Sequence, residues 1–141
     1  MDTAPSQPDR GGTTYPLKVL YVDDEDDIRE IAVMALELDP DILVKSCESG
    51  AEALQAAQAW LPDLILLDVM MPGMDGPETF AKLRRHPATL AIPVVFITAR
   101  TQQEDIERFM ALGAAGVISK PFDPMALASE AKNLLAVTVN S

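Results

Sequence analysis

Basic residues are scarce in this chain: 11 lysines and arginines stand against 22 acids, a net charge of −11. A surface of that sign does not suit nonspecific nucleic-acid binding or an anionic membrane, both of which need a basic patch. Long apolar runs are missing too, and none approaches the ~20 residues of a membrane span. The start, Met1 to Gly12, is polar and contains no apolar signal-peptide core. With a single cysteine, Cys47, the chain cannot close an intrachain disulfide. Internal repeats and low-complexity segments are also lacking. These absences give the expectation of a soluble cytoplasmic protein with no nucleic-acid and no membrane partner.

What is present is enough chain for one packed domain. At 141 residues a domain buries roughly 68–70% of its unfolded surface. The hydrophobic content of 48% is ordinary for a globular protein. Residues 1–16 hold Pro5, Pro8, Pro16, Gly11 and Gly12 among several Ser and Thr, the composition of a disordered tail. After it, strand and helix signals alternate five times, giving a domain over 17–138. Strands are expected at about 17–23, 42–47, 63–67, 92–97 and 115–118.

The helix signals fall between them. The first helix spans about 25–38, with Ile28, Ile31, Ala35 and Leu38 on one face. The second opens with the capping box Ser49-x-x-Glu52 and runs to about Trp60, where Pro62 stops it. Asp75-x-x-Glu78 opens the third, with Pro77 tolerated in its first turn. Thr101-x-x-Glu104 opens the fourth, which ends near Gly113. Asp123-Pro124 reads as an N-cap followed by proline at the first position of the fifth, with Leu127, Ala131, Leu134 and Leu135 inward. Five such βα units predict a parallel sheet with helices on both faces. Only about five residues follow the fifth helix, so no output domain is expected.

The chemistry lies at the strand ends. Leu64-Ile65-Leu66-Leu67 is an apolar run that reads as a strand buried on both faces, and it ends in Asp68 before the loop Val69 to Gly76. An isolated strand-end Asp is more often a cap than a functional group. Here three other strand ends carry polar groups: Asp23-Asp24, Thr98-Ala99 and Lys120-Pro121. Parallel strands bring all four to one sheet edge, where open α/β sheets bind ligands.

In this set and order the chain resembles the receiver domains of two-component response regulators. The spacings agree: 44 positions from Asp24 to Asp68, 30 from Asp68 to Thr98 and 22 from Thr98 to Lys120. The resemblance runs from about Leu17 to about Ala136. It implies a flavodoxin-like doubly wound sheet of five parallel strands in the order 2-1-3-4-5, which the chemotaxis regulator of this family has. It implies Asp68 as the phosphoacceptor, assisted by Thr98 and Lys120, and a Mg²⁺ site of Asp23, Asp24, Asp68 and the Met70 backbone carbonyl. It implies a cis Lys120-Pro121 peptide. It also implies a phosphorelay switch that takes its phosphoryl group from a histidine kinase or histidine phosphotransfer protein. Such a switch passes the signal to a downstream protein through the face of helix four, strand five and helix five.

The residue chemistry suits that role. A carboxylate can accept a phosphoryl group as an acyl phosphate. Three clustered acids form a hard-cation site. Lysine is a point charge for a phosphate oxygen. His86 reads as a solvated helix C-terminal cap before Pro87, so the phosphodonor must come from a partner. Self-phosphorylation and slow autodephosphorylation are expected, with no turnover of an outside metabolite. One departure from the family concerns the position three before the lysine, often aromatic, which here is Val117. Valine has one stiff torsion and no ring to swing. Coupling through a threonine and an aromatic rotamer is therefore not expected in its usual form, and loop and helix-four repacking would take its place.

Other readings fit less well. A calcium-binding EF-hand loop beginning at Asp23 needs glycine at its sixth position, which is Ile28. An aspartyl-phosphate enzyme of the haloacid dehalogenase type needs an acid two residues after the nucleophile, which is Met70. A phosphate-independent adaptor on the same fold stays open because of Val117, as does a receiver fragment of a hybrid kinase. Cys47, beside Glu48, reads as a strand residue and not as a reactive thiol. Met70, Met71 and Met74 read as loop and core contacts, and Trp60 as packing at the end of helix two.

Overall fold

Short apolar runs alternate with amphipathic ones along the chain, and in the computed structural model each run becomes one layer element. The structure describes residues 16–140; apart from Pro16, the tail expected over 1–16 lies outside the described residues. Strands β1 (Leu17–Val22), β2 (Ile42–Cys47), β3 (Leu64–Asp68), β4 (Val94–Thr98) and β5 (Gly116–Ser119) alternate with helices α1 (Asp26–Glu37), α2 (Gly50–Trp60), α3 (Gly76–Arg84), α4 (Gln103–Leu112) and α5 (Leu127–Asn140). All strand pairs are parallel, in the order β2-β1-β3-β4-β5. This is the flavodoxin-like order that the family resemblance implies.

The two faces of the sheet have separate cores. Leu17, Val19, Tyr21, Leu64, Leu66, Val95, Ile97 and Ile118 pack with Ala32, Ala35 and Leu36 of α1 and with Leu127, Ala131 and Leu135 of α5. Leu20, Val22, Ile65, Leu67, Val94 and Phe96 pack on the other face with Ala53 and Ala57 of α2, Phe80 and Leu83 of α3, and Phe109 of α4. Strand residues alternate between the faces with the period of two that a pleat dictates. The central strands β3 and β4 are buried throughout, which is why they read as unbroken apolar runs.

Most helix ends follow the sequence signals. Ser49 Oγ accepts from the Glu52 N–H at 3.1 Å, and Asp75 Oδ1 accepts from the Glu78 N–H at 2.9 Å. Gly113 ends α4 with φ +108°. The Lys120–Pro121 peptide is cis. Four expectations need correction. In α1 the buried face is Ala32, Ala35 and Leu36, while Ile31 and Leu38 are exposed. The N-cap of α4 is Gln102, without a side-chain cap bond, and not Thr101. Residues 123–126 form a turn before α5, in which Asp123 Oδ1 accepts from the Met125 N–H, so the helix starts at Leu127. His86 lies just past α3 and accepts from the Ala88 N–H through Nδ1 at 3.2 Å, so it serves its own turn and not the helix carbonyls.

Candidate functional site

The carboxyl ends of β1, β3, β4 and β5 set the site. Pairing in register puts Asp68 beside Ile97 and Thr98 beside Ser119, so the polar residues that follow the apolar runs share one edge. Asp23, Asp24 and Asp68 each present a carboxylate oxygen, and these lie within 4.8 Å of one another. Lys120 Nζ stands 3.1 Å from Asp23 Oδ2, 3.0 Å from Glu25 Oε1 and 3.4 Å from Asp68 Oδ1. Three acids thus surround one ammonium and a fourth, Asp24, lies beside two of them, so the local charge is negative.

Each group is held by its element. Asp23 is fully buried. Its Oδ2 accepts from the Tyr21 hydroxyl at 3.0 Å and its Oδ1 from the Glu25 N–H at 3.0 Å. Its carbonyl accepts from Arg29 Nη1 at 2.8 Å, which ties the β1–α1 loop to the first turn of α1. Tyr21 points to the same face as Asp23 because the two are two positions apart along the strand direction. Burial and the neighbouring Asp23 carboxylate raise the Tyr21 pKa, which keeps its proton on the donor oxygen. Asp68 ends a strand with every residue buried. The loop after it is tied back by the Gly76 N–H to the Val69 carbonyl at 2.9 Å. Gly76 has no room for a side chain: a Cβ there would lie 2.5 Å from the Asp68 carbonyl oxygen.

Electrostatics follow from this crowding. Burial, with repulsion from Asp23 and a smaller contribution from Asp24, pushes the Asp68 pKa up to about 7 against the pull of Lys120. For Lys120, burial acts to lower the pKa, but hydrogen bonds to Glu25 and Asp23 outweigh it and the net shift is upward. The lysine therefore stays charged. Asp24 is half-buried and its carboxylate has no hydrogen-bond partner among the described residues. The Met70 carbonyl likewise accepts no backbone hydrogen bond among them, although its neighbour Val69 does. An all-oxygen donor set with spare lone pairs and excess negative charge fits a hard divalent cation.

Thr98 adjoins Lys120 through the backbone: the Lys120 N–H donates to the Thr98 carbonyl at 2.9 Å. Along β4 it shares the parity of Val94 and Phe96, the face opposite Ile97. Its hydroxyl accepts from the Arg100 N–H at 2.9 Å, which leaves its own proton to donate. Val117 pairs with Phe96 in register and packs against the α2–α4 face. Cys47 is buried, and burial pushes its thiol up to about 11. Met71 is in the core, whereas Met70 is exposed. The Trp60 ring lies within reach of Lys18 and Lys45, with their Nζ atoms 5.4 and 5.0 Å from its centroid.

Sequence reading missed three residues of this site. Tyr21 could have been found from its spacing to Asp23. Gly76 was legible only as a turn residue. Glu25 reaches Lys120 across 95 positions of sequence, and no local signal marks that contact.

Comparison with known proteins agrees with the geometry. The family model for the response regulator receiver domain matches residues 19–132. Response regulator Rre1 of Synechocystis sp. is 39% identical over 121 residues, covering 86% of this chain and 52% of that protein. The phosphate regulon transcriptional regulatory protein PhoB of Escherichia coli is 38% identical over 118 residues, covering 84% and 51%. The chain thus spans about half the length of these curated relatives. Among solved structures, Vibrio cholerae chemotaxis protein CheY4 superposes with a TM-score of 0.77 at 34% identity, over 84% of this chain and 98% of that one. The signal receiver domain of the response regulator NarL from Mycobacterium tuberculosis gives 0.76 at 32% identity, over 84% and 95%. The chain belongs to the response regulator receiver domain family, and with it to the phosphorylation-dependent switches of two-component signalling.

Proposed function

We propose that Asp68 accepts a phosphoryl group from a phosphohistidine of a partner kinase or phosphotransfer protein, and that the resulting charge switches the surface read by a downstream protein. The observation that carries this reading is the meeting of three carboxylates within 4.8 Å at the sheet edge, with a charged lysine 3.4 Å from one of them. An Asp68 carboxylate oxygen attacks phosphorus, and an O–P bond forms. The P–N bond to the donor imidazole breaks with its electron pair going to the ring nitrogen. A ring protonated on its other nitrogen then leaves neutral.

The chain's own residues serve this step in distinct ways. Lys120 offers N–H donors to the transferred oxygens as a fixed positive charge. Thr98 donates its hydroxyl proton to another phosphoryl oxygen. Asp23, held by Tyr21, fixes the acid cluster in place. Asp23, Asp24, Asp68 and the Met70 carbonyl would hold Mg²⁺, which when bound offsets the charge of the phosphoryl oxygens. Autodephosphorylation at Asp68 is hydrolysis of the acyl phosphate, so the chemistry belongs to the switch itself.

Site mapping tests the assignment. Treatment with acetyl phosphate and Mg²⁺, followed by borohydride, should convert Asp68 alone to homoserine, and peptide mass spectrometry should locate it there. Homoserine at Asp23 or Asp24, or unchanged labelling of Asp68→Asn, would overturn it.

A further inference from the structure

Lys120 has three N–H donors, and three carboxylates surround it. The nearest is not the phosphoacceptor: Glu25 is at 3.0 Å, Asp23 at 3.1 Å and Asp68 at 3.4 Å. The three partners differ in how easily each can be released. Asp23 is fully buried, and both its oxygens are engaged by other donors, Tyr21 and the Glu25 amide. Losing the ammonium would leave a buried charge short of a partner, which is costly. Glu25 is 60% exposed at its side chain, and among the described residues its carboxylate meets only Lys120. Water can take over such a carboxylate at little cost.

A phosphoryl group on Asp68 brings new oxygen acceptors to a lysine whose donors are already in use. The Asp68 contact, the longest of the three, passes to the phosphoryl group that Asp68 then carries. A second phosphoryl oxygen can be met only if Lys120 gives up Glu25 or Asp23, and Glu25 is the one more readily surrendered. The geometry points to Glu25 as a placeholder for Lys120: it holds the ammonium in the site while Asp68 is bare and yields it to the phosphoryl group. Glu25 is a positioning residue, because it touches the lysine and not the reacting atoms. The inference rests on Asp68 being the phosphoacceptor. With acetyl phosphate as donor, the Asp68 O–P bond forms, the donor's P–O bond breaks, and acetate leaves with the electron pair. Lys120 exchanges one N–H···O contact from Glu25 Oε1 to a phosphoryl oxygen, and no proton changes owner.

The test uses acetyl phosphate with Mg²⁺ on the whole chain, comparing the parent with Glu25→Gln, Glu25→Asp and Asp27→Asn. Glu25→Asp keeps the charge but is one methylene too short to reach the lysine. Asp27→Asn removes a charge from an exposed position that makes no ion pair with Lys120. Both Glu25 variants should raise the rate at saturating donor about two- to fivefold, the range that losing an exposed ion pair allows. Asp27→Asn should keep the parent's saturated rate. In the parent, the ¹³C resonance of the Glu25 carboxylate should move to the free-carboxylate position on phosphorylation, and should stay put in Asp68→Asn. A Glu25 resonance unmoved by phosphorylation would overturn the placeholder. So would a parent-like rate in Glu25→Asp while Glu25→Gln and Asp27→Asn change together, because charge alone would then explain the effect. If the parent gains no phosphoryl group at all, the phosphoacceptor reading falls first and this inference with it.

Discussion

Gly76 shows how tightly a single position can govern the acid at the strand end. A methyl group there would meet backbone, at 2.5 Å from the Asp68 carbonyl oxygen and 2.8 Å from Val69 Cα, and backbone cannot rotate away. Gly76→Ala should therefore destabilise the fold by about 2–3 kcal/mol, the upper part of the range for overpacking, and displace Asp68. Urea unfolding should show the loss, and phosphorylation by acetyl phosphate should slow alongside it. A variant with parent stability and parent rate would mean that the α3 N-terminus has slack. From sequence, Gly76 resembled any turn glycine, because its constraint is a contact with another element and not a positive φ. Asp68, Asp23, Asp24 and Lys120 were legible because each ends a run of strand residues. Thr98 was legible as a strand end too, and its backbone bond to Lys120 follows from the β4–β5 pairing.

At the scale of elements, α1 illustrates why a face can be misread. Its bulky residues Ile31 and Leu38 face outward, while Ala32, Ala35 and Leu36 face the sheet. A helix that packs closely on β1, β2 and α5 favours small residues at the contact, whereas a sequence reading weighted by bulk selects the large ones. The turn that follows this helix is joined to α5 by a polar latch: Lys132 Nζ lies 2.9 Å from Asp39 Oδ2. The hydrogen bond from Lys132, helped by the Asp41 amide, holds the Asp39 carboxyl below its ordinary range. A depressed folded-state pKa contributes stability above the unfolded value of about 3.9, and loses it as pH falls through the lower folded value. Lys132→Met should cost about 0.5–1 kcal/mol at pH 7, and the gap from the parent should narrow as the solution is acidified through that window. Denaturant midpoints at a series of pH values measure this. A gap that is constant with pH would show that the latch is not ionic. The parallel sheet with helices on both faces was readable in advance from five βα units, whereas the strand order came from the family resemblance.

For the whole molecule, the question is how charge added at Asp68 under the proposed function would reach a distant surface. The usual aromatic position of the family holds Val117, and the nearest ring, Phe96, is fully buried with Phe80 and Phe109 centroids 5.6 and 5.1 Å away. A ring enclosed in that way does not swing freely, which leaves Lys120 and the loops it touches to carry the proposed coupling. Lys120→Ala should retain some phosphorylation yet lose the accompanying change in α4 and α5, as read from their amide resonances. Identical α4 and α5 shifts in variant and parent would remove Lys120 from the coupling.

The most direct test of the central claim is the intact mass of the parent and of Asp68→Asn after incubation with acetyl phosphate, with and without Mg²⁺. The account predicts one added phosphoryl group on the parent only, and only with Mg²⁺. No added mass on the parent, or the same gain on Asp68→Asn, would contradict it.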